Sequence, residues 1–292
     1  MALRDFGLAD GGANVQAQAR RASNGGWDVE MVHATITSHF RGTLFSEKAN
    51  LLSIKHLHGT DQWPWSQHRL EPFDIASIVL DASAFQAGLF HAWQGLVHVM
   101  EDLTLPASNT LTIAPGTRIL VAPGVSLTLE GSLQCEGNEQ EPIGWACLDP
   151  DDVWKGIVGD GTSATFAFTH ISQVETGFSH QGDGTLSMVH GTIQATVHAL
   201  NIDHPDSSNA IADCRFDSEL SAVFMSNSTA TFERVTVRAQ NDAFVTSESQ
   251  LTILDSVIEG AQGIVHTGEL DLSGCLIKSA GGTGLIAGGI SQ

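Results

Sequence analysis

The sequence predicts an all-β chain wound into a parallel β-helix, and three observations carry that expectation. First, a small residue followed by an apolar run recurs from Trp154-Lys155-Gly156-Ile157-Val158 through Gly177-Phe178, Ala199-Leu200, Ala222-Val223, Ala243-Phe244 and Gly263-Ile264 to Gly284-Leu285. Second, those small residues are separated by 21, 22, 23, 21, 20 and 21 positions, and a fixed period of about 20 residues marks a solenoid. Third, each is followed by a turn and a second β-type run, such as Thr165-Phe166-Ala167-Phe168 or Gln250-Leu251-Thr252-Ile253. At about 21 residues per coil, each coil holds two or three strands of four or five residues. Strands of successive coils then stack in parallel about 4.8 Å apart.

Taken in order, residues 1–26 are rich in Gly, Ala, Asn and Gln and read as a loose leader. From Trp27 to Ile54 the pattern turns β-like, with Val29, Met31, His33 and Thr35 on one parity. Asp61 to His68 is a polar, aromatic loop, because Pro64 blocks a central strand. In 74–90, Ile75, Ile78, Val79, Ala82, Phe85 and Leu89 share one helical face behind Asp74. A capping helix is therefore expected, with a strand over 75–80 as the alternative. The first 92 residues form a small β-rich or mixed region that caps the solenoid, and 93–292 form the β-helix itself. Strict alternation begins at Leu103-Thr104-Leu105-Pro106 and continues through Thr110-Leu111-Thr112-Ile113 and Ile119-Leu120-Val121 to Ser126-Leu127-Thr128-Leu129. Pro115-Gly116 and Pro123-Gly124 form abrupt corners. Asn138 to Asp152 reads as an insertion before the regular coils.

Matching positions predict an inner file of Phe168, Met188, Ala212, Phe232, Ile253 and Leu272, and another of Ile193, Phe216, Val237, Ile258 and Ile277. Each coil would bury about five apolar side chains at roughly 1.5–3 kcal/mol apiece, which no coil can do alone. The small residue before each apolar run is expected at a tight corner where a larger Cβ substituent would clash.

Charge is divided unevenly. The first 92 residues hold 7 basic and 9 acidic residues, whereas the remaining 200 hold 6 and 24. A surface that negative repels phosphate backbones and anionic lipid, which excludes nucleic acid as a partner. No run of 18 apolar residues occurs, so no membrane-inserted helix is expected. The first seven residues lack the apolar core of a signal peptide. The last repeat breaks off at Gly288-Gly289-Ile290-Ser291-Gln292 without a polar cap, which predicts a piece of a longer polypeptide. Of four cysteines, Cys135 and Cys147 flank one loop and could pair in an oxidising compartment, while Cys214 and Cys275 read as small core residues.

The strongest candidate chemistry is a column beside the second strand: His170, His190, Asp213, Arg234 and Asp255, spaced 20, 23, 21 and 21. Stacked on one face, these would place a base, an acid and a cation within reach of a substrate carboxylate. The same residues also suit a solvated ladder of alternating charge. The turn acids Asp160, Asp183 and Asp206, spaced 23 and 23, could hold Ca²⁺; Asp-Gly is equally a plain turn signal, and no other cofactor is expected. His56 and His58 share a strand face, and Trp63 and Trp65 could stack on a sugar ring or cover the solenoid mouth. An ice-binding face would need Thr in repeated register, and Thr112, Thr128, Thr165, Thr185, Thr231 and Thr252 read as too scattered for one. No GxSxG, Walker or GxGxxG element is present.

Leu103-Thr104-Leu105-Pro106, Thr110 to Thr117, Glu130-Gly131-Ser132-Leu133 and Trp154-Lys155-Gly156-Ile157 together resemble the opening of right-handed β-helix repeat domains. Such domains occur in large secreted or surface proteins of microbes and resemble the pectate-lyase superfamily in fold. The resemblance spans about residues 95–292 and implies an extracellular or cell-surface setting. It implies fold more than activity, since it takes in lyases, hydrolases, epimerases and non-enzymatic stalks. The expected function is a non-catalytic scaffold or adhesion stalk whose partners are polysaccharide or other surface proteins. The alternative is a carbohydrate-active lyase or epimerase using the His170 column, or a carbohydrate-binding module.

Overall fold

A computed structural model describes residues 91–204 and 208–288, together with Ala82, Phe85 and four earlier strands. The chain divides into two units, 1–79 and 80–292. In the first, β1 (Asn14–Arg21) pairs antiparallel with β2 (Trp27–Thr35), β2 pairs parallel with β3 (Leu52–Gly59), and β3 pairs antiparallel with β4 (Ile75–Val79). Two expectations are corrected here. The supposed leader contains a strand, because Val15, Ala17 and Ala19 alternate with Gln16, Gln18 and Arg20. The supposed helix begins as a strand, because Ile75, Ile78 and Val79 suit a pleated surface better than a helix. Trp63 and Trp65 lie outside the described residues.

The second unit is a parallel β-solenoid of about nine coils and about 22 residues per coil. Each coil contributes one strand to each of three parallel sheets. Sheet I runs from Ala92–Trp93 and Thr110–Ile113 through Ser132–Glu136, Ala164–Ala167, Thr185–Val189, Ser208–Ala212 and Thr229–Glu233. Sheet II runs from Leu96–Val99 through Arg118–Val121, Ile143–Cys147 and Arg215–Ser218 to Leu276–Ser279, and sheet III from Leu103–Leu105 through Ser126–Leu129 to Leu285–Gly288. Long strands such as Thr169–Gln181 and Asp242–Leu254 turn a corner and serve two sheets. Ile143–Cys147 falls inside the stretch read as an insertion. That stretch is a regular sheet II strand between two loops, obscured in the sequence by the polar residues on both sides.

The predicted file Ile193, Phe216, Val237, Ile258 and Ile277 stands in register inside sheet II. The file inside sheet I reads Cys135, Phe166, Met188, Ile211, Phe232, Ile253 and Leu272. Phe166 and Ile211 therefore replace the expected Phe168 and Ala212. The slip has a backbone cause: Phe168 is itself a corner, at φ 45°. The N-terminal end of the solenoid is closed by stacked rings. Phe85, Trp93, Trp145 and Trp154 follow one another at centroid separations of 5.9, 5.8 and 5.8 Å. The helical residue Ala82 donates its amide to the Glu101 carboxylate (3.0 Å), and the Phe85 carbonyl meets His91 Nε2 at 2.9 Å.

The small residues of the repeat sit where the chain enters sheet III, and the structure shows what they avoid. A Cβ on Gly156 would lie 1.8 Å from the Thr176 carbonyl oxygen. One on Gly177 would lie 2.4 Å from Ile193 Cγ2, and one on Gly263 would lie 2.4 Å from the Gly284 oxygen. Ala199, Ala222 and Ala243 at the matching corners are wholly buried.

Two outcomes follow for stability. Gly156→Ala should cost more than about 2 kcal/mol, combining a positive φ with a backbone clash. Gly124→Ala, at φ 71° with open space around it, should cost only about 1–2 kcal/mol. Denaturant midpoints of the two variants decide this, and equal costs would contradict the clash. Deleting residues 236–256, one whole coil, joins Val235 to Val257 in unchanged register, since Thr236 pairs with Val257. The shortened protein should melt cooperatively, whereas the protein with one residue fewer deleted should melt at lower temperature, because the side chains of Val257–Gly260 then exchange faces before the next corner can absorb the slip.

Candidate functional site

Four members of the expected catalytic column do stack, but at a corner. His190, Asp213, Arg234 and Asp255 have φ of 53°, 54°, 52° and 49° and form the left-handed bend between sheets I and II. Phe168 takes the equivalent place one coil before His190, and its ring lies 4.5 Å from the His190 ring. A non-glycine residue there costs about 1–2 kcal/mol. Each bend recovers part of that cost through its amide, which donates to the next coil: His190 to Ala212 (3.2 Å), Asp213 to Glu233 (3.0 Å) and Arg234 to Leu254 (2.9 Å). Arg234 grips Asp213 with two hydrogen bonds, Nε to Oδ1 at 2.7 Å and Nη2 to Oδ2 at 2.8 Å, and also contacts Glu233. Hydrogen bonding to Arg234 holds the Asp213 carboxyl below the usual carboxylate range.

After the bends at Asp213 and Asp255, Cys214 and Ser256 stitch coils together. Cys214 Sγ donates to the Ala212 carbonyl (3.1 Å) and accepts from the Gly191 amide (3.3 Å). Ser256 Oγ donates to Leu254 (2.6 Å) and accepts from Val235 (3.0 Å). At the corner between sheets III and I, Ser249 Oγ repeats the arrangement with Ser247 (2.8 Å) and Ser228 (3.3 Å). Burial pushes the Cys214 thiol up to about 12. All four cysteines are free; Cys135 and Cys147 are buried in sheets I and II.

His170 stands apart from this column, because its coil makes the bend two residues earlier, at Phe168. It lies on the outer side of sheet II, in register with Gly144, which is in turn in register with Arg118. Arg118 and His170 are thus two coils apart, roughly 9.6 Å along the stack. Between them Gly144 leaves open space where a Cβ would otherwise stand. The loop before Ile143 walls the dent with Gln140, Glu141 and Pro142, giving a volume of about 370 Å³. Asn138 shapes that loop by accepting the Gln140 and Glu141 amides (3.1 and 3.0 Å). The solenoid's other cations are spent in pairs: Lys155 with Glu175, Arg215 with Asp217, Arg234 with Asp213, and Arg238 and Lys278 with Glu259. Among the described residues, Arg118 is the one solenoid cation outside an ion pair. A guanidinium, an imidazole and a neighbouring carboxylate around a shallow dent can hold a small polar or anionic group and exchange a proton with it.

Asp160 is in register with Gln181 rather than Asp183, Asp183 pairs with His204 (Oδ1 to Nε2, 3.1 Å), and Asp206 lies outside the described residues. Among the described residues no three His, Cys, Asp or Glu side chains form a metal-holding group.

Two histidines missed in the sequence lie inside sheet III. The inward file Leu129, Gly159, His180, Ile202, Met225, Thr246 and His266 is in register. His180 is wholly buried, stacked on Phe178 at 5.9 Å, with neither ring nitrogen in a hydrogen bond of normal geometry. The Gly184 backbone lies alongside it without closing one. His266 shares one ring nitrogen with the Thr246 hydroxyl. Their inward position follows from strand parity, which could have revealed both. Burial lowers the pKa of each, in His180 against a small opposing effect of the Gly184 backbone and with the nearby His204 lowering it further.

Comparison with known proteins found no match: no family model, no curated protein and no solved structure.

The buried imidazoles set a pH dependence. The unfolded chain takes up protons near pH ~6.5, whereas folded His180 resists until lower pH. Stability is therefore fully present above about pH 6.5 and is lost as pH falls toward the depressed folded value. Thermal melts should show that His180→Leu raises the midpoint relative to the parent more at pH 5 than at pH 8. An equal shift at both would mean that His180 is not carried neutral into the core.

Proposed function

We propose that this chain is a rigid, acidic spacer: a β-helix scaffold that holds a distance and presents its flanks within a larger secreted or cell-surface assembly. The observation that carries this reading is the use made of its cations. Lys155–Glu175, Arg234–Asp213, Arg238–Glu259 and Lys278–Glu259 each join one coil to the next, so charge is invested in stacking rather than in lining a groove. Four of the five residues expected to be catalytic, His190, Asp213, Arg234 and Asp255, are bends whose amides serve the same stacking, and Arg234 and Asp213 add a side-chain pair to it. The surface setting rests on the likeness to right-handed β-helix repeat domains. Its partners would be other surface proteins or polysaccharide, approached without resident cofactor.

A second reading rests on the Arg118–Gly144–His170 dent. It is the feature that would serve a carbohydrate-binding or carbohydrate-active module, with Arg118 holding a carboxylate or hydroxyl and His170 acting as acid or base. The two readings are separated by incubating the protein with uronic-acid polymers, with and without Ca²⁺, and following the ultraviolet absorbance of unsaturated product. The spacer reading expects none. Turnover abolished by Arg118→Ala or His170→Ala would replace it with the second reading, and turnover abolished by His190→Ala would place catalysis at the bend column.

A further inference from the structure

The outer face of sheet I carries a pattern that the sequence conceals. One outward file reads Thr112, Gln134, Thr165, Ser187, Ala210, Thr231 and Thr252, in unbroken register over seven coils. The file two residues earlier begins at Thr110 and Ser132, continues through Ser163, Thr185, Ser208 and Thr229, and ends at Gln250. Eleven of these fourteen positions bear a hydroxyl, the exceptions being Gln134, Ala210 and Gln250. Every one is exposed or half-exposed.

Three features set this face apart from ordinary polar surface. Its two files bear no charge: neither holds an acid or a base until Glu269 and Asp271 end it, although the chain from Trp93 onward carries 24 acidic residues. It is regular: from Thr110 to Leu254 its strand pairs show no register shift. It is stiff, because seven of the eleven hydroxyls are threonine, whose β-branched side chain has restricted χ1 freedom, and all stand on a paired backbone. Adjacent Thr185 and Ser163 hydroxyls already lie 3.4 Å apart across coils.

We propose that this face binds ice. Hydrogen-bonded water with O···O near 2.75 Å and tetrahedral angles places second neighbours about 4.5 Å apart. Hydroxyls repeating at the coil spacing of about 4.8 Å meet that lattice to within roughly 0.3 Å per step. The second file lies about 6.7 Å from the first, a single interval over which mismatch does not accumulate. Charged side chains would orient water about themselves and break such a layer, and on this face the acids Glu136 and Glu233 stand at the border next to the bend, outside the two files. A crystalline polysaccharide is the competing flat, hydroxylated solid. Its recognition draws on aromatic platforms, and neither file contains an aromatic residue.

The test is partition of the full chain into slowly grown ice, with ice-crystal shaping as a second readout. The parent protein should enter the ice fraction, and Thr165→Arg and Thr231→Arg should reduce it to the level of a protein with no affinity for ice. Thr128→Arg, which removes a hydroxyl from the outer side of sheet III, should leave it unchanged. Circular dichroism and melting temperature confirm that each variant retains the fold, as exposed strand positions should allow. Exclusion of the folded parent from ice would overturn the proposal. So would entry that survives Thr231→Arg, or binding to microcrystalline cellulose or chitin with the same dependence on Thr165 and Thr231.

Discussion

The solenoid depends on one steric constraint: after each corner the chain must re-enter the stack in the same register. Two devices enforce it. At the entry to sheet III the backbone passes so close to the neighbouring coil that only Gly156, Gly177, Ala199, Ala222, Ala243 and Gly263 fit, a larger side chain being met by a carbonyl or by Ile193 or Ile277. At the bend into sheet II a single left-handed residue redirects the chain, and its unfavourable φ is offset by an amide bond to the next coil. After Asp213 and Asp255 the Cys214 thiol and the Ser256 hydroxyl tie the corner to its neighbour. Core packing is a consequence of this constraint, because inward files align only if the corners return the chain faithfully.

The same constraint explains why polar chemistry gathers where it does. A bend must be tolerated by its residue, and Asp and His tolerate positive φ better than most. Hence His190, Asp213 and Asp255 collect in one line for conformational reasons. A column of titratable groups on a β-solenoid can thus imitate an active centre while answering a backbone requirement.

Much of the fold was legible in the sequence, because the repeat of small residue and apolar run is written into nearly equal intervals. The inner file of sheet II could be read directly from Ile193 to Ile277. Legibility failed where local parity was interrupted. Phe168 breaks the alternation, which shifted one inner file onto Ala212 and drew His170 into the bend column. The dent at Gly144 could not be read at all, since it joins Arg118 to His170 across 52 positions through a loop of irregular length. The outward threonines suffered likewise: from Thr112 to Thr252 the steps along one file are 22, 31, 22, 23, 21 and 21, because extra residues are absorbed in corners and loops. Register, rather than spacing, reveals the file.

The tryptophans of the solenoid are confined to its first three coils, where Trp93 meets Phe85 and Trp145 at a tilt and Trp145 stacks face to face on Trp154. Beyond Trp154 the aromatic core is phenylalanine alone, and the chain contains no tyrosine. Intrinsic emission from this unit is therefore a local gauge. It registers loosening at the N-terminal end of the stack and stays silent if unravelling starts from the opposite end, so an optical transition and a backbone transition that part company would reveal from which end the coils come undone.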